Sequence, residues 1–126
     1  MISLGILVQQ LVENPALLGL GDLYLTRVSS QPDHAGLLLE DPVGAILYIV
    51  ELQPATDDRQ VIRLAERWAV VRKRHPRDRC VPVLVAAEIP PRYVNILQVI
   101  SASVPIVATE WRAAGGIATV KALRLR

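Results

Sequence analysis

The chain has 126 residues, 52% of them hydrophobic and 21% charged, which is enough apolar material for one folded domain and too much for a disordered segment. Its longest apolar runs, such as residues 81–87, are strand-length and shorter than the ~20 residues of a membrane-spanning helix. Because the first residues also lack a basic leader, we expect a cytoplasmic protein with no membrane partner. One cysteine and two histidines exclude an internal disulfide and a thiolate or imidazole metal cage, so any metal would need carboxylate ligands.

The formal net charge of +2 is unevenly distributed along the chain. Residues 1–56 contain six acidic residues and one basic residue, whereas residues 57–126 contain thirteen basic and six acidic residues. Such a bias attracts a polyanion if the basic side chains share one face of the fold.

The first half of the chain predicts one helix followed by three strands. Pro15 ends the first apolar segment. Pro42 and Gly44 stand at the second and fourth positions of a turn, which predicts a hairpin between the second and third strands. The predicted elements are a helix at 4–12 and strands at 22–28, 36–40 and 46–52, with the hairpin turn at 41–44.

A long helix is predicted at 59–75, after the capping residues Thr56, Asp57 and Asp58 and before Pro76. An apolar stripe on one side of this helix indicates that it packs on a core. Four arginines share the other side, either as a solvated surface or as contacts for phosphate groups: Arg59, Arg63, Arg67 and Arg74.

The second half predicts a βαβ unit. A valine-rich strand at 81–87, a helix from Pro90 to Ile100 and a strand at 104–109 follow one another through short connections, which requires parallel pairing. The predicted order is αβββαβαβ, an α/β fold with a mixed sheet flanked by helices. We expect a single domain over residues 1–126 and assign no element from Arg112 onward.

Most motifs of small-molecule enzymes are missing from the sequence. It contains no Walker-type phosphate loop, no Gly-x-Gly-x-x-Gly, no Gly-x-Ser-x-Gly and no Cys-x-x-Cys. What remains is Glu51-Leu52-Gln53, which places a carboxylate and an amide on the same face at the end of a strand. A carboxylate in that place suits metal binding, although a surface glutamate gives the same pattern.

The run Glu51 to Asp58, with Val61-Ile62-Arg63, Glu66-Arg67-Trp68 and Arg72 to Pro76, resembles an uncharacterised bacterial branch of the PD-(D/E)xK nuclease superfamily. In that branch a Glu-x-Gln strand end leads through a Thr-Asp pair into an arginine-bearing helix. Residues 83–89, 92–95 and 104–108 resemble its following strand, helix and strand. The resemblance extends over residues 13–110 and is specific over residues 47–108. It implies a restriction-endonuclease-like fold, in agreement with the order of elements predicted above.

The resemblance also implies a Mg²⁺ site, in which an Asp early in the hairpin and a Glu late in it hold the ion that activates a water molecule. Glu51 takes the Glu position, and Gln53 stands where the superfamily usually has lysine. Gly36 stands where the metal-binding Asp is expected, and glycine offers no ligand. Asp33 or Glu13 would have to replace that acid.

Two hypotheses follow from the resemblance. The favoured one is a nuclease fold with a degenerate metal site, inactive or weakly active, retained for nucleic-acid binding or for protein assembly such as a homodimer. The alternative is an active Mg²⁺-dependent DNA endonuclease. In the alternative, Glu51 binds the metal together with Asp33 or Glu13 in place of the missing acid, and Gln53 positions water or phosphate. The four helix arginines then hold the DNA backbone.

Overall fold

The computed structural model describes residues 3–125. The helices are α1 (Leu4–Glu13), α2 (Asp58–Arg74) and α3 (Pro91–Ser101), with a 3-10 turn at Pro15–Leu18. The strands are β1 (Tyr24–Ser30), β2 (Ala35–Asp41), β3 (Ile46–Ala55), β4 (Arg79–Glu88), β5 (Val107–Ala114) and β6 (Ile117–Ala122).

The strands form one mixed sheet whose spatial order follows the chain, from β1 to β6. Neighbours β1, β2 and β3 pair antiparallel, β3, β4 and β5 pair parallel through the α2 and α3 crossovers, and β6 returns antiparallel to β5. The predicted fold, a mixed sheet flanked by helices in the order αβββαβαβ, is confirmed, with β6 as an addition.

The two faces of the sheet bury separate cores. On one face, α1 packs against alternate residues of β3 that include Val50 and Leu52. On the other face, Leu47 and Ile49 of the same strand pack with residues of α2 and α3 such as Leu64 and Leu97. Because side chains alternate along a strand, the next residue on the α2 face after Ile49 is Glu51.

Local signals position the helix ends and the hairpin. The Asp57 carboxylate caps α2 by accepting a hydrogen bond from the Gln60 amide at 3.0 Å. In the β2–β3 turn, Asp41 Oδ1 accepts from the Val43 and Gly44 amides at 3.1 and 3.2 Å, so this acid forms the turn, far along β2 from Gly36.

Some predicted boundaries were wrong. The last predicted strand begins at Val107 rather than Val104, because Val104 still donates its amide to Ile100 O at the end of α3. The unassigned tail contains β6, whose Ala118 amide is held by the side chain of Gln10. Within residues 3–125, no helix is long and apolar enough to cross a membrane.

Candidate functional site

One row of paired residues runs across three strands on the α2 face of the sheet. Ser29 of β1 pairs with Gly36 of β2, and Gly36 pairs with Glu51 of β3. Residues directly opposite each other in a sheet point to the same side. The Glu51 side chain therefore points toward α2. Beside it on the same face, Gly36 leaves the corresponding position without a side chain.

Glu51 is buried and is held by two arginines of α2. It is 2% exposed, its Oε1 accepts from Arg67 Nη1 at 2.8 Å, and its Oε2 lies 3.6 Å from Arg63 Nε. The two arginines are four residues apart, so one helix face brings both to the same carboxylate. Glu51 thus has two cationic partners supplied by the chain itself.

The guanidinium of Arg67 also fills the space above Gly36. Its Nη1 donates to Val50 O at 2.7 Å and its Nη2 donates to Leu37 O at 3.1 Å. A Cβ added to Gly36 would lie 2.5 Å from Nη1 and 2.9 Å from Cζ of Arg67. Because real side chains do not approach so closely, a side chain at position 36 would require the Arg67 guanidinium, the far end of a flexible side chain, to move.

The Gln53 side chain is used within the protein as well. Its Oε1 accepts a hydrogen bond from Arg63 Nη2, and its Nε2 donates to Ala55 O at 2.8 Å. The side chain also hydrogen-bonds to Asp57, and this contact holds the pKa of that carboxyl below its ordinary value of 3.8. Gln53 therefore links the end of β3 to the start of α2.

The other predicted metal ligands lie elsewhere. Asp33 is in the exposed β1–β2 turn and hydrogen-bonds to His34 Nδ1 at 2.8 Å, a contact that lowers the pKa of Asp33. Glu13 ends α1, which packs on the opposite face of the sheet from Glu51. Nowhere in residues 3–125 do three His, Cys, Asp or Glu side chains gather in a group that could hold a metal ion.

The residues present do not fit the Mg²⁺ site that the resemblance implies. Mg²⁺ is bound in such sites through few direct anionic ligands, so losing one of two carboxylates weakens the site severely. Here one carboxylate remains, that of Glu51, and two guanidinium groups already neutralise it. The space in which the second carboxylate would start is occupied by Arg67.

A groove between the β1–β2 hairpin and α2 surrounds this ion pair, and we name it the hairpin–helix groove. It consists of a cavity of about 220 Å³ beside Glu51 and one of about 270 Å³ further along α2, and Glu66 and Arg67 line both. The basic residues that line it are Arg27, Arg63, Arg67 and Arg74.

The four predicted phosphate-contacting arginines thus have different environments. Arg63 and Arg67 are half-buried and engaged with Glu51, whereas Arg74 is an exposed residue of the groove. Arg59 is exposed at the first turn of α2 and does not line the groove.

Arg27 of β1 lines the groove and was missed from the sequence. The signal that could have found it is alternation along the strand, since it lies two residues from Ser29 and therefore on the same face.

Gln60 is a second residue that the sequence did not single out. It is fully buried, and its Nε2 donates to Glu51 O at 3.1 Å and to Val85 O at 2.9 Å. This side chain fastens the first turn of α2 to β3 and β4, and so it sets where Arg63 and Arg67 meet the sheet.

Comparison with known proteins supports the fold. The chain matches no protein-family model and no curated protein. It is similar in structure to EndoMS in its apo form, with a TM-score of 0.65 and 17% sequence identity. The match covers 80% of this chain but 44% of the EndoMS chain, so this chain spans less than half of that protein. The likeness establishes a nuclease-like fold and no more.

Proposed function

We propose that this protein binds nucleic acid through the hairpin–helix groove and does not cleave it by metal-dependent hydrolysis. The observation that carries this proposal is the position of Arg67, which neutralises Glu51 and fills the space above Gly36. A nuclease of this fold needs that space for an acid, whereas a binding protein gains from a fixed positive charge there.

The charge of the groove supports a polyanionic ligand. Within residues 3–125, Arg27 and Arg74 make no ion pair, and both are exposed at the rim of the groove. Arginine donates to phosphate oxygens in a fixed fork, so these two side chains can hold the backbone of a nucleic acid without reading its sequence.

A separate observation favours protein assembly, including a homodimer, as a second candidate function. Exposed apolar side chains on α2 and α3 include Ile62 at 55% and Val99 at 76% exposure. An apolar crevice of about 80 Å³ lies between these helices, and its lining includes Trp68 and Val104. A homodimer through this face would persist at high salt, whereas phosphate contacts would not.

The test is binding to a fluorescent DNA oligonucleotide, measured by anisotropy over a range of salt concentrations. The groove variant Arg27→Gln/Arg74→Gln is compared with Arg59→Gln/Arg77→Gln, which removes the same charge from exposed positions outside the groove. We expect the groove variant to bind at least about tenfold more weakly and to lower the slope of log K against log salt by about 2. The control variant should lose clearly less affinity for DNA.

Equal losses in the two variants, or no binding by the wild-type protein, would contradict the proposal. Cleavage of DNA in Mg²⁺ or Mn²⁺ that disappears in Glu51→Gln would instead establish the active endonuclease. A dimer in light scattering that persists at high salt, with no DNA binding, would favour assembly.

A further inference from the structure

We propose that the guanidinium of Arg67 is the resident cation of this site, in place of a divalent metal ion. We further propose that the site becomes a divalent-cation site when Arg67 is removed and an acid stands at position 36. This inference goes beyond nucleic-acid binding. It shares the position of Arg67 with the proposed function, but its test is separate, because it measures metal binding and not DNA binding at the rim of the groove.

Three oxygens of the protein converge on the Arg67 guanidinium. They are Glu51 Oε1 at 2.8 Å, Val50 O at 2.7 Å and Leu37 O at 3.1 Å. A carboxylate with backbone carbonyls is also the donor set that Mg²⁺ and Mn²⁺ take in proteins. The guanidinium therefore sits in an oxygen environment that suits a hard cation.

Glu51 keeps unused capacity for a ligand. Its Oε2 is buried and makes no hydrogen bond, and the facing Arg63 Nε is equally buried without a hydrogen bond. The carboxylate is thus held through one oxygen, and the second is oriented only by charge. If the cation on Oε1 were exchanged for a metal ion, Oε2 would have no hydrogen bond to lose, and Arg63 would remain its charged neighbour at 3.6 Å.

The glycine at position 36 is required by Arg67 and not by the backbone. Gly36 is an ordinary strand residue outside the left-handed region, so its backbone accepts any side chain. The obstacle is the guanidinium at 2.5 Å from the position of a Cβ. A side chain at position 36 would push aside the flexible end of Arg67, but the displaced guanidinium would still neutralise the carboxylates at this site. Conversion to a metal site therefore takes both substitutions.

The experiment measures Mn²⁺ binding by electron paramagnetic resonance of the free ion. We compare the wild type, Gly36→Asp, Arg67→Ala and Gly36→Asp/Arg67→Ala. The double variant should bind Mn²⁺ with a Kd at least about tenfold lower than that of the wild type or of Gly36→Asp. The matched control Gly36→Asn/Arg67→Ala has the same size without the charge and should not show the gain. Adding Glu51→Gln to the double variant should remove it.

Wild-type protein that binds Mn²⁺ as tightly as the double variant, with loss in Glu51→Gln, would overturn the proposal. So would a folded double variant, judged by circular dichroism, that binds no better than its Asn control. If the double variant does not fold, Gly36→Asp/Arg67→Gln and its control Gly36→Asn/Arg67→Gln are compared in the same way. Equal Mn²⁺ binding by these two variants would refute the proposal.

Discussion

Replacing Glu51 by glutamine distinguishes a carboxylate that neutralises arginines from one kept for a metal ion. The glutamine has nearly the same shape and retains an oxygen that can accept from Arg67, so the substitution removes charge and little volume. Glu51 is 3% exposed in its side chain, whereas Arg67 and Arg63 are 32% and 26% exposed. The variant therefore leaves two partly buried cations without an anion.

The magnitude follows from the burial of the partners. Removing one member of a fully buried ion pair costs about 3–5 kcal/mol. A quarter to a third of each arginine side chain is exposed, and the Gln oxygen still accepts a hydrogen bond, so we expect a loss of about 2–3 kcal/mol. For a chain of 126 residues this corresponds to a fall in melting temperature of roughly 8–12 °C.

The assay is urea unfolding of metal-free protein, supported by thermal unfolding at the same pH. The matched control is Glu66→Gln, which changes an exposed glutamate of α2 that lines the same cavity as Glu51 and should alter stability by less than about 0.5 kcal/mol. A carboxylate held ready for a metal lacks its partner when the metal is absent, and its removal then leaves stability unchanged or raises it. A Glu51→Gln protein as stable as the wild type would refute the ion-pair interpretation.

Three further predictions concern the elements that position the site. Asp57→Ala should destabilise the protein by about 1 kcal/mol at neutral pH through loss of the α2 cap, whereas Asp57→Asn should reduce its stability less. Because the pKa of Asp57 is below 3.8 in the folded protein, the stabilisation is present above that value and is lost as pH falls through the folded pKa. In urea unfolding, the difference in free energy of unfolding between the wild type and Asp57→Ala should therefore be smaller at pH 3 than at pH 7. Gln60→Ala should lower the free energy of unfolding by about 2 kcal/mol in urea, since it removes two hydrogen bonds from α2 to the sheet. Unchanged stability would mean that these hydrogen bonds do not hold the helix on the sheet. Leu39→Ala, at a fully buried position of β2, should cost about 3 kcal/mol, and a cost below about 1 kcal/mol would show that β2 is not part of the core.

The order of elements and the type of sheet were predictable because their signals are local. Proline and aspartate mark the ends of helices, the valine-rich segment of β4 is buried on both faces, and short connections around α3 require parallel strands. β6 was not predictable, because it is largely exposed and is defined by its pairing with β5 rather than by an apolar pattern of its own. Of the candidate site, Glu51 and the missing acid at Gly36 were visible in the sequence through the resemblance to nucleases.

What the sequence by itself determined is therefore the fold class and the absence of an acid at position 36. The tertiary structure alone decided what stands in that place. Gly36 and Arg67 are thirty-one residues apart in the chain. Their contact exists because α2 packs across β3 and β4, where Gln60 holds its first turn, and because Arg67 reaches from there to Leu37 O of β2. Helical periodicity placed Arg67 among the arginines facing away from the apolar stripe, but it cannot show whether a long side chain reaches solvent or turns back to a buried carboxylate. That choice depends on the depth at which Glu51 lies and on the space that a glycine leaves open, and both are properties of the packed molecule.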